Sequence, residues 1–197
     1  IFHDIGRFKQ AEIYDTFSDK DSVNHAELGA KILFDDNLIE NFEIEEKYKK
    51  IIKLAILNHN KDKIEDGLSD EEMLFCKIIR DADKLDIFYV LCNYDFESAF
   101  WYKDFDCIEI SDTIMKQLKE LHKLNYKDIK NNADQIAVPF AYVFDLNFEF
   151  SLRYLSKKKY LDEFTELVCE NFRAERVHEQ TREMLEYVNR YIDEMNI

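Results

Sequence analysis

An all-α fold is predicted by three features of the sequence. Gly occurs three times and Pro once in 197 residues, so the residues that build hairpins and tight turns are scarce. Apolar side chains recur at three- and four-residue spacing over long windows, the period of a helix that buries one face. Helix-start signals precede those windows, the clearest being Ser69-Asp70-Glu71-Glu72, which has the form of a capping box.

Each element follows in order. Ile1 to Gly6 reads as the last turn of a helix, closed by the glycine. Ser22 is expected to cap a helix through Val23, Leu28, Ile32 and Leu33, with His25 in its first turn. Glu45 to His59 carries Ile51, Ile52, Leu54, Ala55, Ile56 and Leu57, and His59 stands at its C-terminal end. In the helix opened by Ser69, Met73, Leu74, Ile78, Ala82 and Leu85 are expected to form the buried stripe. Asp83 falls beside that stripe, and Asp86, three residues on, shares roughly its face.

Residues 94–110 read as an aromatic-rich connector, in which Phe100-Trp101-Tyr102 and Phe105 are expected to serve a core or an interface. Ser111 or Asp112 caps the next helix, which runs through Leu121. The apolar stretch from Ile136 to Leu155 contains Pro139. Proline is tolerated in a first turn and kinks a helix interior, so this helix either starts near Val138 or bends there. Leu161 to Met195 reads as one long helix or two. With no internal repeat or low-complexity linker, residues 1–197 are expected to form a single helical domain, with a core over 1–90 and a helical extension over 91–197.

Acidic residues outnumber basic ones 42 to 27, for a formal charge of −15. That field repels a phosphate backbone, which argues against extended nucleic acid as a partner. Cys76, Cys92, Cys107 and Cys169 are scattered without a Cys-x-x-Cys pair, the pattern of free thiols in a reducing cytoplasm. No apolar run is long enough for a membrane span. The aromatic connector and the stretch after Ile136 leave room for a homodimer interface.

The chemistry-bearing residues are separated in sequence: His3-Asp4, His25, His59, and the acidic segment Arg80-Asp81-Ala82-Asp83-Lys84-Leu85-Asp86. Successive helical residues diverge by about 100°, so His3 and Asp4 can share an ion only if it lies between their two directions and other helices complete the set. His3, Asp4 and Asp83 together offer mixed nitrogen and oxygen ligation, suited to Mn, Fe, Co, Ni or catalytic Zn. His25 and His59 either hold a second ion or bind a phosphate as imidazolium. Two ions bridged by a carboxylate would activate a water and neutralise charge on a phosphoryl group.

His3-Asp4-Ile5-Gly6-Arg7, His25-Ala26-Glu27-Leu28-Gly29-Ala30, Asn58-His59-Asn60 and Ala82-Asp83-Lys84-Leu85-Asp86 resemble, in order and spacing, the motifs of the HD-domain metal-dependent phosphohydrolases. The resemblance covers about residues 1–90. It implies an HD-like helical bundle with additional C-terminal helices, dependent on divalent metal (Mn, Fe, Co, Ni, Zn or Mg). It also implies that His3, Asp4 and Asp83 are ligands, with Asp4 the bridge, and that His25 and His59 are second-ion ligands. Arg7 or Lys84 would pair with substrate phosphate.

The family's first ligand histidine lies upstream of the His-Asp pair, and this sequence starts after that point. The remaining ligands are expected to hold metal more weakly and to support impaired activity. The activity implied is hydrolysis of a phosphate ester in a small nucleotide or phosphorylated metabolite. The alternative is a helical regulatory module that senses nucleotide or metal without turnover.

Overall fold

A computed structural model describes residues 2–100 and 105–195 of the chain. Among the described residues every regular element is helical and there is no strand. The chain divides into two compact units, Ile1–Asp83 and Lys84–Ile197.

In the first unit α1 spans Ile5–Tyr14, α2 His25–Ala30 and α3 Glu46–His59, while α4, Asp70–Asn93, starts in this unit and ends in the second. Its small core is Ala30, Leu33, Ile39 and Ile56, with Phe2, Ile5, Phe34, Ile44 and Ile52 packed around it. The expectation that Gly6 ends a helix is corrected: α1 begins at Ile5, and Gly6 lies in its first turn. A Cβ at Gly6 would stand 2.1 Å from the His25 carbonyl oxygen and 2.7 Å from the Gly29 nitrogen. This glycine therefore serves a close approach of two helices, and its backbone needs no left-handed conformation.

Capping of α2 is corrected as well. Asn24, not Ser22, supplies the cap, its side-chain oxygen accepting from the backbone nitrogens of Ala26 and Glu27 at 2.9 and 3.2 Å. The Ser22 hydroxyl instead donates to the Ser18 carbonyl and accepts from Gln10. The capping box at Ser69 forms as expected: the Ser69 backbone nitrogen donates to Glu72, and the Glu72 nitrogen to the Ser69 hydroxyl.

The buried face of α4 differs from the predicted stripe. Cys76, Arg80, Asp81, Lys84, Phe88 and Leu91 are buried, whereas Leu74 and Ile78 are among the exposed large apolar residues and Ala82 is exposed. Hydropathy selected the wrong side of this helix because its inner face carries Arg80 and Lys84, whose charges are satisfied by partners.

The second unit adds α5 Phe96–Phe100, α6 Asp112–Lys116, α7 Asn132–Gln135, α8 Ala137–Tyr142, α9 Glu149–Lys158, α10 Tyr160–Asn171 and α11 Glu175–Glu194. Pro139 falls in the first turn of α8, and the C-terminal region is two helices, α10 and α11. The core here includes Phe88, Ile114, Leu118, Ile136, Phe140, Phe164, Val168, Met184 and Val188. Two buried polar groups organise the loop around Ile110. Gln180 exchanges hydrogen bonds with both backbone groups of Ile110 at 2.8 Å, and Asp134 accepts from the Ser111 nitrogen and hydroxyl.

Phe105 packs against this core, while the Phe100 side chain, Trp101 and Tyr102 of the aromatic connector lie outside the described residues. All four cysteines are free. Among the described residues no helix is long and apolar enough to cross a membrane.

Candidate metal centre

Four chain segments bring the predicted ligands of the first unit together. His3 and Asp4 stand in the turn that opens α1, His25 is the first residue of α2, His59 the last of α3, and Asp83 lies on α4. The contact of Gly6 with His25 and Gly29 draws the start of α2 against the start of α1, which is why residues so far apart in sequence meet.

Asp4 stands at the middle. Its Oδ2 lies 3.3 Å from Nε2 of His3, and that nitrogen lies 3.2 Å from Oδ1 of Asp83. Its other oxygen, Oδ1, lies 3.3 Å from Nε2 of His25 and 3.7 Å from Nε2 of His59. The two oxygens of one carboxylate thus face two separate imidazole sets. Burial works against the Asp4 anion, but the imidazoles of His3 and His59 outweigh it and hold the carboxyl far below its ordinary range. Burial likewise opposes charge on His3, yet Asp4 and Asp83 outweigh it and raise the imidazole to about 9.

His25 and His59 form the buried side of the centre. Nδ1 of His25 donates to Asp19 at 2.7 Å, and Nδ1 of His59 donates to the Ile56 carbonyl at 2.6 Å. Both partners are acceptors, so Nδ1 of each ring is placed to donate, and Nε2 is the atom turned toward Asp4. Those two Nε2 atoms are 2.9 Å apart and both face Asp4. Burial and the Arg7 charge lower the His25 pKa against the pull of Asp19, which favours the neutral ring.

Three acceptors therefore converge where a cation is needed. Nδ1 of His3 is buried without a protein partner. Ligand atoms of His3, Asp4 and His59 lie within 4.8 Å of one another, a grouping able to hold a metal ion. The donor set fits a divalent ion with nitrogen and oxygen preference.

A family model for the HD domain matches residues 1–87. Over this segment the chain is similar to HD domains. The HD-domain family is generally one of metal-dependent phosphohydrolases. Neither the curated proteins nor the solved structures contain a match to the chain.

Arg7 and Lys84, expected to meet substrate phosphate, are both engaged within the protein. Arg7 donates to Asp19 at 3.0 Å, to Gln10 at 3.2 Å and to the Phe17 carbonyl. Lys84 is buried, pairs with Asp145 at 2.7 Å and lies over the Tyr142 ring. Neither engagement is visible in a motif, because the partners lie in loops or far along the chain.

Sequence reasoning missed the residues that support the HD-domain histidines. Gln10 is fully buried and donates to Asp19, the Ser22 hydroxyl and the Val23 carbonyl, tying the loop before α2 onto α1. Arg80 is 3% exposed and donates to the carbonyls of Asn58, His59 and Lys61, closing the C-terminal end of α3 where His59 sits. Asn60 donates to Asp19 and to the capping oxygen of Asn24. Arg80 and Asn60 stand inside segments the sequence singled out, without a role assigned to them, and Gln10 carries no signal.

Proposed function

We propose that the HD domain of this protein hydrolyses a phosphate ester of a small nucleotide or phosphorylated metabolite. The observation that carries the reading is the division of the Asp4 carboxylate between two imidazole sets, at 3.3 Å to His3 and 3.3 Å to His25. His3, Asp4 and Asp83 would hold one divalent ion, and His25, His59 and Asp4 a second. Such ions supply an activated water and neutralise charge that builds on the phosphoryl group. The protein's part is to keep Asp4 anionic and to present unprotonated Nε2 atoms on His25 and His59.

The net charge of −15 supports a small substrate over a polymeric one, since an acidic surface repels a long phosphate backbone. Arg7 and Lys84 already have carboxylate partners, so we assign them to holding the fold around the ligands. A panel of nucleotides and phosphorylated metabolites, incubated with the protein and Mn, Co, Ni, Mg or Zn, tests the proposal by phosphate release. Metal-dependent release from at least one small substrate is expected. Tight nucleotide binding with no release under any of these metals would instead identify a sensing module.

A further inference from the structure

We propose that Asp19 is the positioning residue of the His25 side of this centre, selecting the tautomer that leaves Nε2 of His25 free to ligate. The inference rests on the reading of His25, His59 and Asp4 as a metal site. Asp19 itself lies outside the four motif segments.

His25 is offered two carboxylates at opposite ring nitrogens. Asp19 lies at Nδ1, with Oδ2 at 2.7 Å and Oδ1 at 2.9 Å, while Asp4 Oδ1 lies 3.3 Å from Nε2. A neutral imidazole carries one ring proton, so the two carboxylates compete for it. If Asp4 held it, Nε2 would be a donor and no ion could bind there. Asp19 is closer by 0.6 Å, taking 2.7 against 3.3 Å, and the shorter charge-assisted bond wins.

Asp19 is itself built into place. Its Oδ1 accepts from Gln10 Nε2 at 2.9 Å, from Arg7 Nη1 at 3.0 Å and from the His25 backbone nitrogen at 3.3 Å, and its Oδ2 accepts from Asn60 at 3.3 Å. A loop staple alone would use those four donors. It would not require both oxygens at the Nδ1 edge of a buried histidine.

The test joins histidine nitrogen NMR on metal-free protein with calorimetric titration of Mn2+, on wild type, Asp19→Asn and Asp21→Asn. In Asp19→Asn the donors Arg7, Gln10 and the His25 nitrogen keep the amide oxygen in the place of Oδ1. The NH2 group then faces Nδ1 of His25. Wild type is expected to show His25 as the Nδ1–H tautomer. Asp19→Asn is expected to show the Nε2–H form and to weaken one class of Mn2+ site by about 10- to 100-fold. Asp21→Asn, which removes an exposed carboxylate of the same loop that accepts from the Ser18 hydroxyl, should leave both readouts near wild type.

A wild-type His25 protonated on Nε2 overturns the proposal, as does unchanged Mn2+ affinity and stoichiometry in Asp19→Asn. If wild type takes up no Mn2+, the metal reading fails, and the His25 tautomer in wild type still decides the role of Asp19. If Asp19→Asn does not fold, the wild-type tautomer decides it in the same way.

Discussion

Nε2 of His25 lies 2.9 Å from Nε2 of His59, with both Nδ1 atoms already donating to other acceptors. Two imidazole lone pairs at that distance repel unless a proton or a metal ion stands between or beside them. The pair is therefore a candidate place for a cation, and whether a proton or a metal ion occupies it is measurable.

Asp4 is the first residue to test. Asp4→Ala removes both oxygens that face the two imidazole sets. Metal-dependent phosphate release is expected to disappear, with helix content by circular dichroism nearly unchanged because Asp4 is half-exposed and precedes α1. Unaltered turnover would refute the proposed site.

Gly6 is the tightest backbone contact of the first unit. Gly6→Ala would put a Cβ 2.1 Å from the His25 carbonyl oxygen, so α1 and α2 must separate. A loss of about 1–3 kcal/mol is expected from such overpacking. Urea unfolding measures it, and metal affinity should fall with it because His25 moves. Gly29→Ala, whose new Cβ would meet Gly6 nitrogen at 3.2 Å, should cost less.

Arg80 holds His59 through the backbone. Arg80→Met leaves the carbonyls of Asn58, His59 and Lys61 without that donor at a buried helix end. A destabilisation of about 1–3 kcal/mol is expected for buried acceptors left unpaired. Denaturant titration would show it, and Mn2+ affinity should drop in the same variant.

Metal uptake by the metal-free protein should depend on pH through His3. Its imidazole is raised from 6.5 to about 9, against burial, by Asp4 and Asp83. The imidazolium therefore stabilises the metal-free fold fully below 6.5, and that contribution is lost as pH rises through about 9. A metal must displace this proton, so apparent affinity is expected to rise between pH 7 and 9 with proton release on binding. Calorimetry in buffers of different ionisation enthalpy measures the release. A pH-independent affinity with no proton released would remove His3 from the ligand set.

Much of the centre was legible in the chain. His59 ends α3, as periodicity placed it, and His25 lies in the first turn of α2 as expected, although Asn24 and not Ser22 caps that helix. The order of the His-Asp pair, the two histidines and Asp83 pointed to the HD domain, whose family model matches residues 1–87. The inner face of α4 was not legible. Arg80 and Lys84 are buried there with partners in other segments, while Leu74 and Ile78 face outward, so hydropathy reads the helix inverted.

Helical class was determined by the sequence alone, because it follows from local apolar spacing and the scarcity of turn residues. Which nitrogen of His25 carries its proton was decided only by tertiary structure. That choice depends on a carboxylate from a loop and a glycine contact that closes α1 on α2. Each acts across a distance in sequence that no local pattern records, and each is fixed by packing and hydrogen bonding once the helices meet.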